Sequence, residues 1–120
     1  MDHYLGLAAD VPEKGPATFF RVIKDGQIYP GFVTRVNDQV KAYLNVCAHV
    51  GLRLNGEKNN LFSRDGNYLY CHAHGAIYEP DTGLCLQGPC KGLSLISLRL
   101  KEINGKLFLD DEVYEFYEPL

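Results

Sequence analysis

Short apolar runs broken by Gly, Asn, Asp and Pro recur along the whole chain, and their spacing is that of strands. Residues 18–24, TFFRVIK, predict a strand, and Asp25-Gly26 directly after it predicts a tight hairpin turn. Residues 32–36 and 40–46 predict a second hairpin across Asn37-Asp38-Gln39. Residues 68–70 predict a short strand leading into Cys71, and 93–102 and 106–109 flank Asn104-Gly105, a strong two-residue hairpin signal. Along 93–102, Leu93, Leu95, Leu98 and Leu100 are expected to face a core, although the alternation is imperfect. Residues 55–67 are polar and rich in Gly and Asn, which predicts an exposed loop. Helical periodicity is weak throughout, and there are no internal repeats. The expected class is all-β.

Length changes this picture little: 120 residues predict a single domain, 1–120, able to bury roughly two-thirds of its unfolded surface. Charge removes some functions. The twelve Lys and Arg form no run or stripe and the net charge is −3, so no nucleic-acid partner is expected. Five acidic residues, Asp110, Asp111, Glu112, Glu115 and Glu118, crowd the last eleven positions, and the expectation there is a solvated end rather than an acidic docking surface. MDHYLGLAADVPEKGPATFF lacks a basic segment followed by an apolar stretch, and no window approaches the ~18 apolar residues of a membrane span. The chain is therefore expected to be soluble and cytoplasmic, with no membrane partner. Without a secretory signal, four cysteines suggest metal binding before disulfides.

Two short motifs carry the chemistry. Cys47-Ala48-His49 is followed by Val50-Gly51, and Cys71-His72-Ala73-His74 by Gly75. Each sets one thiolate and one imidazole on a tight loop at the end of a predicted strand, with a glycine where the backbone needs freedom. Three readings compete. Zinc accepts two Cys and two His, but its modules usually pair like ligands at C-x₂₋₄-C and H-x₃₋₅-H spacing. Buried thiols with incidental histidines leave the repeated Cys–His–Gly arrangement unexplained. An iron–sulfur cluster with cysteines on one iron and histidines on the other takes one ligand of each kind from each loop.

C-x-H…C-x-x-H is similar to the signature of Rieske proteins, in which two histidines replace two cysteines on one iron. CHAHGAIYEPDTGLCLQGP resembles that family's second cluster loop with its following strand and Gly-Pro loop, and VKAYLNVCAHVG the strand feeding the first loop. The resemblance runs from about residue 32 to 109. It implies three small antiparallel sheets, with a cluster-binding subdomain at about 47–90 on a β base domain. It also implies one 2Fe–2S cluster, its inner iron held by Cys47 and Cys71 and its outer iron by His49 and His74, under a loop containing Gly88-Pro89. Twenty-one residues separate His49 from Cys71, more than is usual in the family's carriers, and the excess maps to the 55–67 loop.

Exchanging two thiolates for two neutral imidazoles removes negative charge and raises the potential above that of all-Cys clusters. High-potential members commonly place Ser after the glycine and Tyr two residues later, where this chain has Ala76 and Tyr78. Respiratory members carry an extra Cys in each loop, joined as a disulfide; Leu52 and Ala73 stand there instead. His72 is expected to be a surface residue, and His3 is assigned nothing. Cys85 and Cys90 are expected to be buried, inert thiols rather than a disulfide or redox switch.

No side-chain pair offers a nucleophile with its base, and no further two-His, one-carboxylate iron site is evident, which excludes a complete Rieske oxygenase. The expected function is one-electron transfer from a flavin or iron–sulfur reductase to an oxygenase-type enzyme. The alternatives are a small Rieske subunit or detached domain of a larger oxidoreductase, such as a nitrite-reductase-type assembly, and, more remotely, a structural zinc module.

Overall fold

The computed structural model describes residues 4–47, 54, 60–71, 75–88 and 90–117. Eleven strands are present among them: β1 (Tyr4–Leu7), β2 (Thr18–Lys24), β3 (Gln27–Val36), β4 (Gln39–Leu44), β5 (Leu69–Tyr70), β6 (Ile77–Tyr78), β7 (Cys85–Gln87), β8 (Ser97–Leu98), β9 (Leu100–Ile103), β10 (Lys106–Leu109) and β11 (Glu115–Phe116). Helix is confined, among the described residues, to a single 3-10 turn at Ala8–Asp10. The strands form three antiparallel sheets, ordered β1-β10-β9, β11-β2-β3-β4-β8 and β5-β6-β7. The expected all-β class and the three sheets are found.

Turn chemistry sets the registers. Asp25-Gly26 and Asn104-Gly105 both take positive φ, the requirement of a type I′ hairpin, and join β2 to β3 and β9 to β10. Asn37 and Asp38 also take positive φ, so the β3–β4 turn closes over two residues, and Gln39 pairs with Val36 instead of lying in the turn. The Glu13 carboxylate accepts from Asn37 N and Asp38 N at 2.8 Å each, satisfying amides that the tight turn leaves outside the ladder.

Residues 31–34 of β3 and 42–44 of β4 are buried on both faces, and this positions the site. Val33, Ala42 and Leu44 join Val22, Leu98, Leu107, Leu109 and Tyr114 in one core; Phe32 and Tyr43 point to the other face and pack with Cys47, Leu54, Leu61, Leu69, Cys71 and Tyr78. The period-2 alternation of a strand separates the two sets. Phe32 and Tyr43 are cross-strand partners with ring centroids 5.8 Å apart.

Three expectations change. The 93–102 strand divides into β8 and β9, and Leu93, 53% exposed, does not face the core, because residues 93–96 turn to close the loop after β7. At the acidic end Asp110, Glu112 and Glu115 are exposed as expected, but the segment is packed on the fold: β11 pairs with β2, Tyr114 is buried, and Asp111 accepts from the backbone N–H groups of Arg99, Val113 and Tyr114. Burial alone would raise the Asp111 carboxyl, but the Tyr114, Val113 and Arg99 amides and the Arg99 charge hold it below its usual value. Residues 63–67 form a mostly exposed turn as expected, yet Leu61 is buried and Phe62 bridges to Leu69; residues 55–59 lie outside the described set.

Candidate iron–sulfur site

Cys47 lies three residues beyond the end of β4, and Cys71 directly follows β5. Both are buried, at 1% and 0% exposure, and both belong to the core cluster built on Phe32 and Tyr43. His49 and His74, the other two expected ligands, lie outside the described residues, as do His72, Leu52 and Ala73.

The first loop is framed by Asn45, a buried amide in an otherwise apolar strand end. Its backbone N–H donates to Pro30 O at 2.8 Å, and its Oδ1 accepts from Leu54 N at 3.0 Å, so the chain leaving at 45 is tied to the chain returning at 54. The second loop is closed by Cys71 N donating to Ala76 O at 2.8 Å and Gly75 N to Cys71 O at 2.9 Å; Gly75 has φ +72°, the freedom expected of it. Gly88 is constrained twice. Its φ is +107°, and a Cβ there would stand 3.0 Å from Ala76 Cα, so only glycine lets this loop lie against the chain at Ala76.

Tyr78 brings a hydroxyl to the sulfur. It is fully buried, and its Oη lies 3.3 Å from Cys47 Sγ and 3.3 Å from Cys90 Sγ. Tyr43 serves the frame instead: its hydroxyl donates to Pro80 O at 2.8 Å, tying β4 to the turn before β7. Burial pushes the Tyr43 phenol well above its ordinary value, and the Asp81 and Glu79 carboxylates push it the same way. Asn45 was missed in the sequence, where a polar residue inside an apolar strand end two positions before Cys47 was the available signal; Gly88 was expected, as part of the Gly88-Pro89 loop.

Cys85 and Cys90 correct the sequence reading. They are buried as expected, but they form a disulfide, with Cα atoms 5.9 Å apart. The left-handed turn at Gly88 folds the chain back between them, a geometry that spacing alone does not reveal.

Two buried cysteines at strand ends in one apolar cluster, with a phenol hydroxyl within hydrogen-bond reach of one of them, fit a thiolate-held metal group better than inert thiols. The comparisons agree. The Rieske [2Fe-2S] domain family matches residues 3–100, and the chain belongs to that family. Its cofactor is accordingly one 2Fe–2S cluster. Among solved structures, the chain is similar to one in the complex of reduced oxygenase and oxidized ferredoxin in carbazole 1,9a-dioxygenase, at 27% identity and TM-score 0.64, covering 89% of this chain and 99% of that one. The ferredoxin of carbazole 1,9a-dioxygenase from Nocardioides aromaticivorans IC177 shares the fold at 18% identity and TM-score 0.68, over 93% and 99% of the two chains. The Sphingomonas yanoikuyae B1 ferredoxin does so at 21% and 0.67, over 92% and 99%. No curated protein matches the chain.

Proposed function

We propose that this chain is a one-electron carrier in which Cys47, His49, Cys71 and His74 hold the cluster, taking electrons from a flavin or iron–sulfur reductase and delivering them to an oxygenase-type enzyme. The cluster supplies a one-electron couple; the rest is done by the chain. Cys47 and Cys71, fully buried, would hold their iron away from water. Asn45 and Gly75 set the loop geometry, and Tyr78 donates toward the Cys47 sulfur, which favours the more negative state. The supporting observation is that two strand-end cysteines share one core, with Tyr78 Oη within hydrogen-bond reach of Cys47 Sγ, in a chain of the Rieske family. The oxygenase acceptor is favoured by the likeness to a chain from an oxygenase–ferredoxin complex.

The test has two parts. Purified protein should carry iron and acid-labile sulfide in equal amounts; Cys47→Ser, Cys71→Ser, His49→Ala and His74→Ala should each lose them, whereas His72→Ala keeps them. Loss of colour in His72→Ala but not in His74→Ala would overturn the ligand assignment. Chemically reduced protein should then be reoxidised by a Rieske-type terminal oxygenase with its aromatic substrate, and failure with every such oxygenase would remove the proposed acceptor.

A further inference from the structure

We propose that Cys85 and Cys90 are a reversible dithiol–disulfide pair whose state is transmitted to the Cys47 ligand through the Tyr78 hydroxyl. The inference rests on Cys47 being a cluster ligand. Its basis is one contact chain in a fully buried setting: Cys90 Sγ, Tyr78 Oη and Cys47 Sγ, with 3.3 Å at each step. The two sulfurs differ in kind. One belongs to the cluster site, and the other to a disulfide that closes a loop of only five residues' separation.

The hydroxyl has a single proton. When Cys90 is in the disulfide it has no S–H, and both sulfurs can act only as acceptors toward Tyr78. When the pair is reduced, the Cys90 thiol can donate to Tyr78 Oη while Tyr78 donates to Cys47 Sγ. A donor that is itself hydrogen-bonded is polarised and donates more strongly. Reduction of the pair therefore strengthens the bond to the ligand sulfur and stabilises the reduced cluster site. At a fixed applied potential the ratio of reduced to oxidised protein should rise about twofold, a shift of ~18 mV at 59 mV per decade.

The interconversion balances by thiol–disulfide exchange. A thiolate of a small dithiol or of glutathione attacks one sulfur of the Cys85–Cys90 bond and forms a mixed disulfide. A second reductant thiol then displaces the remaining cysteine. The pair gains two electrons and two protons, and the reductant becomes a disulfide; the reverse direction uses oxidised glutathione. Both cysteines are buried, so exchange requires the loop to lift. The loop suits this: Leu86, Gln87, Gly88, Lys91 and Gly92 are exposed, and two bonds closing it, Lys91 N to Gly88 O and Gly92 N to Cys85 O, are 3.2 Å long.

The experiment uses the iron-loaded protein equilibrated with either reduced or oxidised glutathione. Alkylation after denaturation, read by mass, should find two more thiols in the reduced sample, mapped to Cys85 and Cys90. Protein-film voltammetry on the same samples should give the higher potential in the reduced one. Tyr78→Phe should keep the change in thiol count but lose the potential difference. The Cys85→Ser, Cys90→Ser double variant should keep its iron and show one potential in both buffers. The proposal is overturned by an unchanged thiol count, by equal potentials in the two wild-type samples, or by a difference that persists in Tyr78→Phe. Absence of iron from the wild type is a separate result: it removes the electron-carrier reading, while the alkylation count still reports on the pair.

Discussion

With Cys47 as the proposed ligand, Tyr78 is the residue whose position would have the most direct electronic consequence. Hydrogen bonds to ligand sulfur stabilise the reduced, more negative state and raise the potential. A bond worth ~1 kcal/mol more in that state corresponds to ~40 mV at 59 mV per decade. Tyr78→Phe keeps the buried ring and removes only the donor, so voltammetry should show a fall of this order with iron content unchanged. Ala76 occupies the position where high-potential relatives carry a serine, and it is fully buried against Gly88. With that donor absent, the wild-type potential should lie in the lower half of the ~−150 to +300 mV Rieske range, and Ala76→Ser should raise it. A wild-type value near the top of the range, or no response to either substitution, would show that these positions do not act on the ligands.

At the scale of elements, the β3–β4 hairpin joins the base to the site because both of its faces are covered. Tyr43 is its point of attachment to the turn at 79–83, through the bond to Pro80 O. That bond and the burial of the ring make the neutral phenol the form the fold requires. The unfolded chain releases the Tyr43 proton near pH 10.0, whereas the folded chain retains it to higher pH. The folded state thus binds more protons above that value, so this contribution to stability is complete below pH 10 and is lost as pH rises. Tyr43→Phe should cost about 1 kcal/mol near pH 8 through the lost hydrogen bond. It should also flatten the decline of the urea midpoint between pH 9 and 11; an identical slope in the two proteins would assign the alkaline sensitivity elsewhere.

Over the whole molecule, two cores of unequal independence share one hairpin. The base core is held by long ladders, β2 pairing with β3 over seven residues. The other core rests on β5, β6 and β7, strands of two or three residues, and includes Cys47 and Cys71. Metal ligation contributes folding energy where the surrounding ladder is short. Removing the iron by chelation should therefore release amide protection in residues 61–71 and 75–88 first, while β2, β3 and β10 stay protected. Hydrogen exchange of the iron-loaded and iron-free proteins measures this, and uniform loss of protection would show one cooperative unit instead.

What was legible in the sequence was whatever depends on local chemistry. Asp25-Gly26 and Asn104-Gly105 specify their turns because few other pairs tolerate two successive positive φ angles. The paired Cys–His loops announced the cofactor because ligand type and spacing are read along the chain. Tertiary structure decided the rest. β1 and β11 are short edge strands with little pattern of their own, formed because β10 and β2 offered open partners. The same long-range closure turned Asp111 from a solvated charge into an acceptor for three amides, and Cys85 and Cys90 from expected thiols into a pair. It also set the Tyr78 hydroxyl between two sulfurs from distant stretches of chain, because a buried donor needs an acceptor and only folding determines which ones it meets.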